Sequence, residues 1–181
     1  MKRMMTVCGV ALLVVSASTA WADKKSEKRK NIDEVAQEVM SELFEASSDA
    51  KDLSKKSYGH AVFSNLKVAV GISGGGGSGV AVTKSGDRTY MKMGTAGVGL
   101  GLGGQSYQVV FLFDTEKALK LFIEKGWHAD ATASAVVWNN GKNADATFNQ
   151  GLAVFQVTNK GLMAAVDISG TKYWKSKKLN R

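Results

Sequence analysis

Gly74-Gly75-Gly76-Gly77-Ser78-Gly79 and Gly97-Val98-Gly99-Leu100-Gly101-Leu102-Gly103-Gly104 are the two stretches whose reading decides the fold. Thirteen of the chain's twenty glycines fall between Gly71 and Gly104. The first stretch is a cluster of the kind that wraps an anion with bare backbone. The second alternates with apolar residues, the signature of a β-strand with one bare face that another backbone can approach. The cluster formally contains G-x-G-x-x-G, but that fingerprint requires a helix after it to hold a pyrophosphate. Here the β-branched run Val80-Ala81-Val82-Thr83 follows, and no Lys-Ser/Thr pair completes a phosphate loop. A strand on the far side of Gly79 therefore argues against a nucleotide cradle. The cluster reads as a turned connection between strands, and the alternating tract as a sharply coiled strand.

Outward from the glycines the rhythm is that of short strands. Ala61-Val62-Phe63 and Leu66 to Ile72 precede the cluster; Gly79 to Thr83 and Arg88 to Met93 flank a hairpin turn at Lys84-Ser85-Gly86-Asp87. Ala96 to Leu102 and Tyr107 to Phe113 follow. Val109 to Phe113 is apolar throughout, which predicts a central strand covered on both faces. Asp114 is positioned to cap a helix from Thr115 to Lys125, which Gly126 stops. Further strands are expected at Ala131 to Trp138, Gly151 to Thr158, Leu162 to Ser169 and Thr171 to Trp174, with turns at Asn139-Asn140-Gly141 and Asn159-Lys160-Gly161. Before the strands, Ile32, Val35, Ala36, Val39, Met40, Leu43 and Phe44 recur at helical spacing from Asn31, an expected N-cap, to Lys56, with a break at Ser47-Ser48-Asp49. Glu34, Glu38, Glu42 and Glu45 make the opposite side acidic, so this stripe is read as core rather than as a face for anionic lipid.

The first twenty-two residues read as a signal peptide. Lys2 and Arg3 precede an apolar run from Val7 to Val15, short of the roughly 20 residues that span a bilayer, and Ala20-Trp21-Ala22 offers a cleavage site before Asp23. The expected location is the bacterial periplasm, with association at a membrane surface. Cleavage there leaves 159 of 181 residues and removes the single cysteine, Cys8, so the mature chain has no disulfide. Loss of Lys2 and Arg3 lowers the formal charge from +8 to +6. The excess sits at two ends: Lys24, Lys25, Lys28, Arg29 and Lys30 open the mature chain, and Lys172, Lys175, Lys177, Lys178 and Arg181 close it. Two basic ends on a secreted protein point to an anionic partner, in the envelope phospholipid or lipopolysaccharide rather than nucleic acid, or else serve only to keep the protein soluble. The organisation is thus a signal peptide over 1–22, a basic segment over 23–30 and one domain over 31–181 with a basic tail.

Catalytic material is thin. His60 and His128 are the only histidines, and no G-x-S-x-G occurs. His128-Ala129-Asp130 could set an imidazole and a carboxylate on one face of a strand, as a base with its orienter or as a metal pair, although two ligands are too few for a zinc site. Asp87, Asp114, Asp130, Asp145 and Asp167 mostly occupy turn or cap contexts. No enzyme, metal or cofactor is expected. The most suggestive constellation is Lys172, Tyr173, Trp174, Lys175, Lys177 and Lys178, a candidate lipid-binding set. Interfacial aromatics and lysines each favour an anionic membrane surface, a lysine by about 1 kcal/mol. The same residues also suit a terminal strand whose aromatics finish the core. Both readings stay open at this point. A structural or protein-interaction module of the envelope is the alternative function, and an outer-membrane barrel is disfavoured by the short later strands.

The ordered succession of motifs resembles the SYLF domain in its bacterial secreted form. Tyr58-Gly59-His60-Ala61-Val62-Phe63, the Gly74–Gly79 cluster with Val80-Ala81-Val82, and Thr89-Tyr90-Met91-Lys92-Met93 carry the likeness. So do Gly97 to Gly101, Val110-Phe111-Leu112-Phe113, Thr158-Asn159-Lys160-Gly161-Leu162, and Gly170-Thr171-Lys172-Tyr173-Trp174-Lys175 with Leu179-Asn180. The resemblance covers about residues 30 to 180. It implies a single α+β domain: a strongly twisted, barrel-like antiparallel sheet, an N-terminal helical segment, and a helix at about 115–125 packed on it. It also implies phospholipid binding, in eukaryotic relatives of phosphoinositides through an amphipathic N-terminal helix and basic residues. The acidic side of residues 31 to 56 departs from that pattern. Bacterial envelopes offer phosphatidylglycerol, cardiolipin or lipid A instead.

Overall fold

The computed structural model describes residues 13–128, 148, 151–158, 161–163 and 170–181. Its organising element is a β-ribbon. Strand β1 (Gly59–Thr83) and strand β2 (Arg88–Phe113) pair antiparallel from Gly59↔Phe113 to Val82↔Arg88 around the expected turn. The turn closes through Gly86 N–H to the Thr83 carbonyl (2.9 Å) and Thr83 N–H to the Asp87 carbonyl (3.0 Å). Several short strands were expected here, with the glycine cluster as a connection; instead Gly74 to Gly79 lies within β1, opposite Met91 to Ala96. Glycine lacks a side chain to pack but leaves both main-chain bonding groups free, so the ladder runs straight through it. The alternating tract lies in β2, as expected. One irregularity interrupts the ladder: between the pairs Val70↔Leu102 and Ile72↔Val98, β2 carries more residues than β1.

A straight 25-residue strand would reach about 80 Å, far beyond the roughly 30 Å of a small domain. The ribbon therefore bends in its glycine-rich middle and brings its two ends together. Lys84 N–H donates to the Tyr58 carbonyl (2.8 Å). The last third of β1 lies against its own first third so closely that a Cβ at Gly77 would strike the Ser64 carbonyl, and one at Gly79 the Val62 carbonyl. Close approach, not turn formation, is what the cluster provides.

Strand β2 is the spine. After helix α3 (Glu116–Lys125) and the short β3 (Trp127–His128) come β4 (Leu152–Thr158), β5 (Gly161–Met163) and β6 (Thr171–Lys175). β4 pairs with the distal part of β2, Gln108↔Val157 to Phe113↔Leu152, and β6 with its proximal part, Met91↔Lys175 to Thr95↔Thr171. Among the described residues the six strands are all antiparallel, in the order β3-β6-β2-β4-β5 with β1 on the other side of β2. Among the described residues the sheet does not close into a barrel. Val109 to Phe113, flanked by β1 and β4, is buried throughout, as its unbroken apolar run predicts.

Alternation sorts that strand into two cores. Val109, Phe111 and Phe113 join Ala61, Phe63, Met91, Met93 and Tyr173 beneath Leu119 and Phe122 of helix α3 (Glu116–Lys125). Val110 and Leu112 join Val62, Val80 and Phe155 beneath helices α1 (Leu13–Ala46) and α2 (Ser48–Lys56). Ile32, Ala36, Val39, Met40 and Leu43 form the buried stripe of α1, and the four glutamates stay exposed. The break at residue 47 is real, with Ser47 accepting from Ala50 N–H. Two caps differ from expectation. Asn31 caps nothing, because α1 already runs through it. At α3 the cap is Thr115, whose hydroxyl accepts from Ala118 N–H, while Asp114 gives its main-chain N–H to the Gly151 carbonyl. Gly126 ends α3 with φ +73°, where a side chain would meet the Tyr173 carbonyl. The strand expected at 131–138, the turn expected at 139–141, Asn159 and Lys160 of the second expected turn, most of the strand expected at 162–169, and Asp130, Asp145 and Asp167 lie outside the described residues.

Candidate basic-aromatic surface

Helix α1 carries its basic residues in line with its buried stripe. Arg29, Lys28 and Lys25 precede Ile32 by three, four and seven residues, so one to two turns before the core they take over the same side. What they meet is the C-terminal segment. Arg29 Nε donates to the Leu179 carbonyl (2.7 Å), with Nη2 on the same oxygen and also on the Arg181 carbonyl (3.2 Å). Lys25 Nζ donates to the Arg181 carbonyl (2.7 Å). The Arg29 guanidinium lies 5.4 Å from the centre of the Tyr90 ring.

The tail is docked rather than frayed. Asn180 accepts from Tyr90 N–H (3.0 Å) and donates to the Tyr90 carbonyl (2.7 Å); Ser176 N–H reaches that same carbonyl (3.0 Å). Leu179 is buried among the α1-side core residues. The two basic ends of the chain thus converge on one region.

Pairing register then divides the residues expected to bind lipid. Lys92 faces Trp174 and Gly94 faces Lys172 across β2 and β6, so these four share one side of the sheet. Lys92, Lys172 and Trp174 are exposed, and the Trp174 ring lies over Gly94. Tyr173 and Lys175 alternate to the other side. Tyr173 has no exposed surface. Its ring centre is 4.7 Å from Phe63, 5.0 Å from Phe111 and 5.7 Å from Trp127. Tyr173 is therefore a core residue, and the expectation that it meets lipid does not fit its placement. Lys175 lies on the strand's other side, and Lys177 and Lys178 are exposed on the turn after β6.

A cavity of about 480 Å³ opens where the ends converge, lined by Lys24, Lys25, Lys28, Lys92, Lys178, Ser176 and Leu179. Sequence reading missed Lys92 as a site residue and treated the N-terminal lysines only as a charged end. The available signal was the alternation Tyr90-Met91-Lys92-Met93, which puts Lys92 on the opposite side from two buried methionines.

Beneath α1, Tyr90 donates its hydroxyl to Asp33 (2.8 Å), which also faces Arg88 Nε at 3.5 Å. Burial, and then Arg88, hold the His60 imidazole below its ordinary pKa of 6.5. The folded chain thus resists a proton that the unfolded chain accepts, so this contribution to stability is complete above about pH 6.5 and is lost as pH falls through the lowered value. His60→Gln should show a smaller fall in Tm than the native chain between about pH 7.5 and about pH 5; equal falls would remove His60 as a cause. The side chain of His128 and all of Asp130 are outside what the structure describes, so their pairing has no geometry to report. No helix among the described residues is long and apolar enough to cross a membrane.

The family model described as Ysc84, Las17-binding protein actin regulator, matches residues 94–181, the span that carries most of β2, α3 and the docked tail. A curated relative from Aeromonas veronii, Beta cell expansion factor A, is 38% identical over 154 residues, 84% of this chain and 59% of that protein. The chain belongs to the Ysc84 (SYLF) family. LAS seventeen-binding protein 3 of Saccharomyces cerevisiae is 31% identical to this SYLF chain over 141 residues, 72% of the chain and 31% of the yeast protein. The chain thus spans somewhat over half of the bacterial relative and about a third of the yeast one. Both SYLF relatives are named as binding or regulatory factors rather than as enzymes.

Proposed function

We propose that this SYLF chain is a non-enzymatic periplasmic domain that associates with anionic phospholipid surfaces through one basic-aromatic side. The observation that supports the reading most is the convergence of both basic ends beside Lys92, Lys172 and the 39% exposed Trp174. Counter-charge attraction draws the domain to the surface, and Trp174 settles at the interface. Tyr173 supports the site only from within. The stripe of α1 stays in the core and does not insert.

Phosphatidylglycerol vesicles should co-sediment the protein at low salt and release it as salt rises, since exposed charges are screened over roughly 8–10 Å near physiological ionic strength. Reversing Lys172 and Lys177 to Glu removes about 1 kcal/mol of attraction for each lysine lost and adds repulsion, so binding should fall by at least about tenfold. Absence of binding at low salt, or equal binding to neutral phosphatidylcholine, would overturn the reading. A second reading is favoured by the yeast relative's name as a Las17-binding protein: an envelope module that takes a protein partner. It expects the reversal to leave vesicle behaviour unchanged and pull-downs to recover one defined protein.

A further inference from the structure

We infer that the cavity between α1, β2 and the tail is a site for a head group bearing two phosphoryl groups on a short polyol bridge. The inference rests on the lipid reading for its physiological source but not for its chemistry. Five lysines from three separate parts of the chain line one space: Lys24, Lys25 and Lys28 from α1, Lys92 from β2 and Lys178 from the tail. Among the described residues no Asp or Glu lines it. Glu27 and Glu34 face a neighbouring depression shared with Lys24 and Lys28, and Glu34 is engaged with Lys30 at 3.7 Å. Gathering like charges costs free energy that an anion returns. A single phosphodiester offers one negative charge to lysines carried by three separate elements; two linked phosphoryl groups can meet more than one of those elements at once.

Volume agrees with charge. About 480 Å³ lies within the 300–1,000 Å³ typical of small-molecule sites and is far more room than one inorganic phosphate needs. The walls are also fixed before any ligand arrives. Arg29 and Lys25 fasten α1 to the carbonyls of Leu179 and Arg181, and Asn180 fastens the tail to Tyr90 of β2, so each lysine-bearing element is tied to the next. Trp174 stands across the strand pair from Lys92, which places an interfacial side chain next to the site.

The test uses the full chain and three probes. Cardiolipin vesicles, whose head group holds two phosphates on one glycerol, should bind at least about tenfold more tightly than phosphatidylglycerol vesicles of equal phosphate density. A Lys28→Ala, Lys92→Ala double variant with unchanged Tm should bring that ratio near one, while its phosphatidylglycerol affinity falls only by the general charge loss of two lysines, at most about thirtyfold. In calorimetry, soluble glycerol bisphosphate should bind the native chain and inorganic phosphate should bind at least tenfold more weakly. Equal affinity for the two vesicle types, or a ratio that survives the double variant, overturns the site while leaving the lipid reading intact. If both vesicle types fail and glycerol bisphosphate still binds through Lys28 and Lys92, the site stands, its source is a soluble bisphosphate, and the lipid reading falls. Inorganic phosphate binding as tightly as glycerol bisphosphate overturns paired recognition.

Discussion

Gly79→Ala is expected to lower the stability of this protein by about 3 kcal/mol, and Gly74→Ala by almost nothing, although both change one glycine of the same cluster. The difference follows from the bent ribbon. A methyl group on residue 79 would lie well inside contact distance of the Val62 carbonyl and the Phe63 ring, whereas around residue 74 there is nothing within 4 Å. Neither glycine has a positive φ, so conformational preference does not separate them. The carbonyl belongs to a strand held by its partners and cannot move aside cheaply, and Phe63 is fully buried. For a chain of this length 3 kcal/mol corresponds to a fall in Tm of roughly 6–12 °C. Thermal unfolding of the two variants side by side measures it. Matching Tm values would mean that the two ends of β1 do not lie against each other as described.

Truncating Tyr173 is expected to be as costly, for a different reason. Tyr173→Ala removes the ring about which Phe63, Phe111, Phe122 and Trp127 are arranged, and emptying such a site costs about 3–5 kcal/mol. Tyr173→Phe should instead be neutral or raise stability by up to about 1 kcal/mol. The phenolic oxygen is buried with no hydrogen-bond partner among the described residues, and an unmet polar group is a cost of the folded state. Burial, and then the neighbouring Tyr107, push its ionisation well above the ordinary range, consistent with a hydroxyl kept from water. Vesicle binding by Tyr173→Phe should equal that of the native chain. A loss of binding with unchanged Tm would return Tyr173 to the lipid-contacting set.

Those two variants mark where the sequence could be read and where it could not. Helical spacing exposed the α1 stripe and α3, and the unbroken apolar run of Val109 to Phe113 announced a doubly covered strand, because each pattern reflects a local period of the backbone. The long strands were not legible. A glycine cluster carries no period, and a ladder through it is decided by a partner strand far along the chain. Tyr173 and Trp174 are adjacent and of similar chemistry, yet one is core and the other exposed; only the pleat of β6 against β2 separates them. For the candidate site, charge at both ends was plain, but its gathering around Lys92 depended on Arg29 and Asn180 finding main-chain groups 150 and 90 residues distant. The cap at Thr115 instead of Asp114 was a choice between two competent neighbours that composition does not make.

The bent ribbon also answers a hazard that its length creates. A strand of 25 residues with a partner on only one side offers a long row of unpaired main-chain groups, the usual template for runaway association between molecules. Among the described residues β1 pairs only with β2, and its glycine cluster has no bulky or charged side chains to fend off an incoming strand. By laying its last third against its first, and binding Lys84 to Tyr58 where they meet, the strand screens much of its own margin with itself. A residue that prises the two thirds apart therefore threatens more than the stability of one molecule: it uncovers a surface on which copies of the chain can stack.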